Sequence, residues 1–361
     1  MTTASRRDLP PACRELAERV DAELARFLGD QRKAVAGDDP NAATIFDELD
    51  RVISSGGKRL RPLFCCLGYR ATGAEIEDRT IRAAAALELL HTFAIVHDDV
   101  MDRSPTRRGE PASWVLLADT HRAEGMLGDP DQWGLSGAVL VGDLALVLAG
   151  RALHEAGFPA ERLAPALERY DRMRAEVVVG QYLDVLAAHR GEVGEAEARR
   201  IAVLKSGGYT VEAPLHMGSL LAGGSPELLA VLSAYGVPLG EAFQLRDDLL
   251  GVFGDPAVTG KDRDSDLREG KRTVLVARAA AAAAPEDREF LRTRLGRPDL
   301  TAEEVERARA ILEESGARAT VVDLIEALVG AARAALRTEA IDPQAFDLLD
   351  ALSGLVAARN L

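Results

Sequence analysis

Apolar residues recur at intervals of three and four along almost the whole chain, and no segment shows the strict apolar–polar alternation of a half-buried strand. A chain patterned this way buries its apolar stripes by packing helix on helix. Composition points the same way: alanine and leucine dominate, and aromatic residues make up only 4% of the 361 residues. No internal linker divides the chain, so the expectation is one all-α domain spanning 1–361. Helices are expected from LPPACREL to about Gly29, over IFDELDRVISSG up to Gly56–Gly57, from Pro62 to Gly73, and from Asp78 to Asp102. Further helices are expected at 136–155, 161–188, 195–222, 226–253 and 271–282, with two or three more in 302–358. Residues 104–137 and 253–270, rich in Gly, Pro and Asp, read as two long loops, and loops of that length tend to be functional.

The formal charge of −14 argues against a nucleic-acid partner and against electrostatic attachment to anionic lipid. Cys13, Cys65 and Cys66 have no zinc-like spacing and read as core residues of a reduced, cytosolic protein. The first residues lack the apolar segment of a signal peptide, and no uninterrupted apolar run approaches the roughly 18 residues of a membrane span. The nearest candidate, AVLVGDLALVLAG, contains Asp143. The expectation is a soluble, cytoplasmic protein without a membrane span.

The chemistry concentrates at the ends of two apolar helices. In HDDVMDRSPTRRG, Asp98 and Asp102 are four residues apart and share a helical face, while Asp99 points about 100° away. Carboxylates at a helix C-terminus oppose the macrodipole, so a cation should compensate them. Hard oxygens facing one way suit Mg²⁺, which combines a few carboxylates with water and phosphate oxygens. For this motif alone a solvated acidic helix end is an adequate reading. A second acid-ended helix, FQLRDDLLGVFGD with Asp247 and Asp248, changes that: two such helices suggest facing walls that hold metal and a diphosphate. Basic residues stand at matching places, with Lys58, Arg59 and Arg61 at a Gly-Gly turn, Arg107 and Arg108 after the first motif, Lys261 and Lys271 around the second loop, and Lys205 mid-chain. His91 lies two turns before Asp98 on its face, and the apolar residues between them would line a channel. A charged mouth over a greasy tunnel fits a substrate with a diphosphate head and a hydrocarbon tail.

GGKRLRP, HDDVMDRSPTRRG, VGDLAL, GQYLDV, KSGGYT, FQLRDDLLGVFGDPAVTGK and EGKRT follow one another in an order and spacing that resemble the trans-isoprenyl diphosphate synthase (polyprenyl synthetase) family. The resemblance covers about residues 45–280, and the last 80 residues match only as helices. It implies an isoprenoid-synthase-type helical bundle around a deep central cavity, a homodimer, and head-to-tail condensation of isopentenyl diphosphate onto dimethylallyl, geranyl or farnesyl diphosphate. It implies Mg²⁺ on Asp98, Asp102, Asp247 and Asp248. It implies allylic-diphosphate contacts from Arg107, Lys205, Ser206, Gln244, Lys261 and Lys271, and an isopentenyl diphosphate site at Lys58, Arg61, His91 and Arg108. Asp98, Asp102, Arg107, Lys205, Asp247 and Lys261 are the residues it makes catalytic.

Three departures stand out. Gly251 replaces a third aspartate common in the second motif, KDRDSD replaces an apolar-Gly-Asp-Asp run, and Ser206 stands where threonine is frequent. For product length, Ala94 and Phe93 lie four and five residues before Asp98, with Phe93 about 7.5 Å below the metal site. Its ring could floor the tunnel or simply pack against a neighbouring helix. One aromatic here, with an uninterrupted DDxxD, looks closest to geranylgeranyl diphosphate synthases, with farnesyl or longer-chain synthases as the alternative. A class I terpene cyclase would need a different second motif and would have little use for GGKRLRP. A non-catalytic partner subunit would lack an aspartate pair, and a membrane prenyltransferase would need spans.

Overall fold

The three-and-four spacing is realised as helix almost everywhere in the computed structural model, which describes residues 6–254, 264–297 and 299–357. After a short 3₁₀ turn at Arg6–Asp8 come α1 (Pro11–Val35), α2 (Pro40–Ser54), α3 (Leu60–Arg70) and α4 (Asp78–Met101). α5 (Ser113–Glu124), α6 (Pro130–His154), α7 (Ala160–Arg190) and α8 (Glu195–Ala202) follow. A π-helical stretch, Val203–Glu212, joins α8 to α9 (Ala213–Ala222), and α10 runs over Pro226–Phe253. The chain closes with α11 (Ser265–Glu269), α12 (Val274–Ala282), α13 (Pro285–Arg294), α14 (Ala302–Glu314), α15 (Ala317–Ala335) and α16 (Pro343–Ala357). The strands among the described residues are β1 (Thr106–Arg107) and β2 (Glu110–Pro111), an antiparallel ribbon.

α4 is the axis of the fold. Ala83–Ala86, Leu87, Leu89 and Leu90 are all buried, so this helix is apolar nearly all round, as a central helix must be. It packs against α1, α3, α6 and α9. α10 lies against the π-helical stretch and α15. The buried apolar residues form one continuous cluster from Leu9 to Val356.

Several expected boundaries shift for identifiable reasons. α1 continues past Gly29 to Val35, because that glycine lies within the helix and has no close neighbour. The first expected loop contains α5, and α6 begins at Pro130 rather than 136. The Gly and Pro residues that suggested a loop are helix punctuation: Gly125 closes α5 in the left-handed region, and the Asp129 carboxylate caps α6 by accepting from the Asp131 amide at 2.9 Å. The expected helix over 195–222 is interrupted by the π-helical stretch. α11 lies inside the second expected loop, and α13 was not anticipated, since its exposed, charged sequence carries little periodic signal.

α6 and α10 each contain an 18-residue window apolar enough to cross a membrane by length and composition, with mean hydropathy 1.7 and 1.3. This departs from the expectation that no segment reaches that limit; single carboxylates such as Asp143 interrupt a run without lowering a window average enough. Of those windows 39% and 50% are buried within the fold. α6 also carries an outward apolar stripe at Val139, Leu140 and Val147.

Candidate active site

The C-terminal end of α4 carries its carboxylates against the macrodipole, and protein cations offset the cost. Asp98 Oδ1 accepts from Lys205 Nζ at 3.0 Å and from Gln181 Nε2 at 3.1 Å, and its Oδ2 accepts from Arg107 Nη2 at 3.2 Å. Lys271 Nζ lies 3.4 Å from Asp102 Oδ2. Burial favours the neutral acid at Asp98, but Lys205, Lys271 and Arg107 outweigh it and hold the carboxyl well below the usual carboxylate range. At Asp102, burial and then repulsion from Asp98 push the pKa up to about 7, against the pull of Lys271. Asp99, on the other face, is buried and accepts from Arg107 Nε at 2.8 Å. It is therefore an anchor for Arg107, a role its spacing did not reveal.

The ribbon after α4 separates two adjacent arginines. Thr106 pairs with Pro111 and Arg107 with Glu110, leaving Arg108 and Gly109 as a two-residue hairpin loop with φ of 56° and 79°. Arg107 consequently turns back onto Asp98 and Asp99, while Arg108 bonds to the Gly56 carbonyl and to Ser55 Oγ at 3.1 Å.

Lys205 sits in the π-helical stretch, a geometry that recurs at functional sites. A methyl group at Gly180 would overlap the Lys205 backbone, so α7 approaches the lysine at glycine distance; Gly207 makes a similar backbone contact with Gly240 of α10. Lys205 Nζ contacts Asp184 Oδ2 at 2.6 Å as well as Asp98, and these carboxylates hold its pKa above the ordinary lysine range despite burial. Ser206 follows on the same half-buried turn. Gln181 and Asp184 belong to GQYLDV, a motif noticed in the sequence without roles for its residues. Their three-residue spacing on α7 was the available signal.

The GGKRLRP turn enters the structure in two parts. Arg59 is buried with φ 55° and ties the turn down through Asp21 at 2.8 Å, Glu88 at 2.6 Å and the Ile53 carbonyl at 2.7 Å. Lys58 is half-buried. Arg61 donates to Thr210 Oγ1 at 2.8 Å, with its guanidinium 4.2 Å from the centre of the Tyr209 ring. The Tyr209 hydroxyl lies 3.3 Å from His91 Nδ1. Burial and then the charges of Arg61, Arg108 and Arg107 keep His91 well below the usual histidine range, hence neutral at pH 7. His91, Arg61 and Arg108 thus stand close enough to feel one another's charge.

On the second wall Asp247 is half-buried and Asp248 buried, accepting from Gln244 Nε2 at 2.7 Å. Burial first, then repulsion from Asp266, pushes Asp248 up to about 8. Lys271 Nζ joins the walls, 2.6 Å from Glu269 Oε2 and 3.6 Å from Asp266 Oδ1 besides its contact with Asp102. Neither acid was a sequence candidate. Lys261 lies outside the described residues.

Ala94 is one turn before Asp98 on its face, and both Ala94 and Phe93 are half-buried. The Phe93 ring meets the His97 ring edge-on, with centroids 4.8 Å apart, and His97 Nε2 lies 2.9 Å from the Val139 carbonyl of α6. Phe93 is therefore fixed on the α6 side of α4. A cavity of about 920 Å³ lies apart from the aspartates, lined by Glu195, Arg272, Ala277, Arg278, Arg292 and Thr320 among others.

The donor set at the helix ends consists of hard carboxylate oxygens, and the buried Asp102 Oδ2 makes no hydrogen bond. Among the described residues no three His, Cys, Asp or Glu side chains form a closed metal cage. Mg²⁺ does not require one, since it binds through one or two carboxylates and completes its shell with water and phosphate oxygens. The residues present fit that ion.

Comparison with known proteins places this geometry. The polyprenyl synthetase family model matches residues 43–312. The chain is 34% identical to the geranylfarnesyl diphosphate synthase of Aeropyrum pernix, over 85% of this chain and 92% of that protein. It is 32% identical to the geranylgeranyl diphosphate synthase of Sulfolobus acidocaldarius, over 81% and 83%. Among solved structures, the geranylgeranyl pyrophosphate synthase of Corynebacterium glutamicum, complexed with isoprenyl diphosphate and magnesium, superimposes with TM-score 0.92 at 36% identity, covering 96% of this chain and 99% of that one. With seven motifs in order, an all-helical fold and both acid-ended helices in place, the chain belongs to the polyprenyl synthetase family.

Proposed function

We propose that this chain is a Mg²⁺-dependent trans-prenyltransferase that adds isopentenyl diphosphate head-to-tail to dimethylallyl, geranyl and farnesyl diphosphates, with geranylgeranyl diphosphate as product. The observation that carries this reading is the pairing of two acid-ended helices through Lys271, which contacts Asp102 on one wall and Asp266 beside the other. Mg²⁺ held by Asp98, Asp102 and Asp247, with Asp248, would supply Lewis-acid stabilisation of the departing diphosphate. Lys205, Lys271 and Arg107 now neutralise those aspartates; with metal on the carboxylates they are free to contact phosphate oxygens and stabilise the leaving charge. Gln244 and Ser206 border the same head group.

The second diphosphate, on isopentenyl diphosphate, is assigned to Lys58, Arg61, Arg108 and His91. The ribbon supports this division because it sends Arg107 and Arg108 to opposite sides. His91, kept neutral, can donate a hydrogen bond without adding charge. The double bond of isopentenyl diphosphate then attacks the allylic cation, and a proton leaves to the released diphosphate. Apolar α4 residues before Asp98 exclude water from the cation.

The test is incubation with isopentenyl diphosphate, Mg²⁺ and each allylic primer, followed by chain-length analysis. A twenty-carbon product is expected, lengthening in Phe93→Ala at a similar rate. Failure to elongate any primer rejects the enzyme reading, and unchanged length in the variant rejects Phe93 as floor. A homodimer is part of the proposal. Val139, Leu140 and Val147 on α6, and Val178, Val179 and Tyr182 on α7, are exposed apolar side chains that a partner chain would cover. Light scattering should give twice the 38.6 kDa chain mass, falling to one chain in Leu140→Asp/Val147→Asp.

A further inference from the structure

We propose that Asp266 supplies, from outside α10, the carboxylate that the helix lacks at Gly251, and that it acts on the Mg²⁺–diphosphate complex between the two walls. This inference rests on the function proposed above and concerns a residue that neither aspartate motif contains.

Asp247 and Gly251 are four residues apart on α10, as Asp98 and Asp102 are on α4, so position 251 is where the second wall would present its next side chain. The space is not empty. A β-carbon built on Gly251 would overlap the Asp266 carboxylate, Oδ2 first. The glycine is therefore a socket: it removes a side chain from the helix so that a carboxylate arriving from another segment can take the place.

That segment is held firmly. Asp266 lies in α11, where Leu267 is buried and the Asp266 carbonyl accepts from the Lys271 amide at 3.0 Å. The Leu267 carbonyl accepts from the Gly296 amide at 3.1 Å. Asp266 is itself only 7% exposed, and its Oδ1 faces Lys271, the residue that reaches Asp102 on the opposite wall.

An ion pair with Lys271 accounts for Oδ1 of Asp266, 3.6 Å from the ammonium and the strongest charge acting on that lysine, but not for Oδ2, which fills the space beside Gly251. One ammonium cannot balance Asp102, Glu269 and Asp266 together, and a divalent ion shared with the substrate would offset the remaining charge.

The test is calorimetric titration of the full chain with inorganic diphosphate at graded Mg²⁺ concentrations, compared with the same titration in a chelator. Asp266→Asn should raise the Mg²⁺ concentration for half-saturation by about 10- to 100-fold, the effect typical of outer partners of a metal site. Binding without metal should stay as in the wild type. Gly251→Asp/Asp266→Gly, which moves the carboxylate from one chain position to the other, should bring the Mg²⁺ requirement back towards the wild-type value. Unchanged Mg²⁺ dependence in Asp266→Asn overturns the proposal. So does equal weakening with and without metal, which would make Asp266 an orienting partner of Lys271 only. A folded swap variant no better than Asp266→Asn overturns the equivalence of the two positions. A wild-type chain whose diphosphate binding ignores Mg²⁺ would instead reject the proposed function itself.

Discussion

The two acidic walls look alike in sequence and differ in how their charge is balanced. On α4, Asp98 has Lys205 at 3.0 Å and Arg107 at 3.2 Å, and its carboxyl stays ionised although buried. On α10, Asp248 has only the Gln244 amide as a described hydrogen-bond donor, with Asp266 close by, and its carboxyl is pushed up to about 8. Burial is common to both; the number of nearby cations decides the outcome. Asp98 is thus charged in advance, whereas Asp248 is largely protonated at pH 7 and would have to give up its proton to bind a metal.

Substitutions that replace a carboxylate by its neutral isostere should expose this difference most strongly. Asp98→Asn removes a metal oxygen and leaves Lys205 and Arg107 short of a partner, so condensation should slow by about 10³-fold or more, read as steady-state kcat. Asp248→Asn imitates the protonated acid already favoured at neutral pH and should cost only about tenfold. Equal losses would mean that both walls are ionised alike.

A smaller effect should appear in pH dependence. Asp102 at about 7 and Asp248 at about 8 bind protons that Mg²⁺ must displace, so metal affinity rises with pH and falls as these groups protonate. Between pH 6 and 8 the apparent Mg²⁺ affinity should increase by about 10- to 100-fold, with a shallower slope in Asp248→Asn. A flat profile would mean that neither carboxyl holds a proton near neutral pH, and an unchanged slope in Asp248→Asn would contradict the asymmetry.

Much of this was legible in the sequence, because periodicity fixes helices and the aspartate motifs sit at helix ends. The need for cations beside Asp98 and Asp102 followed from the macrodipole alone, and Lys205, Arg107 and Lys271 meet it. What could not be read were contacts across elements. Asp99 looked like a bystander on α4, and only the ribbon's reversal brings Arg107 onto it. Asp184 reaches Lys205 from a helix 21 residues earlier. Gly251 read as a missing ligand, since nothing in DDLLG tells that a carboxylate from α11 occupies its place. The first loop was overdrawn because glycine and proline at helix caps look like glycine and proline in loops.

The exchange of partners at the first wall is tested most directly by a crystal structure with Mg²⁺ and a non-reactive allylic diphosphate analogue. The prediction is metal bound to Asp98 and Asp102, with Lys205 and Lys271 moved from those carboxylates onto phosphate oxygens. A diphosphate bound elsewhere, with the Asp98–Lys205 and Asp102–Lys271 pairs intact, would contradict it.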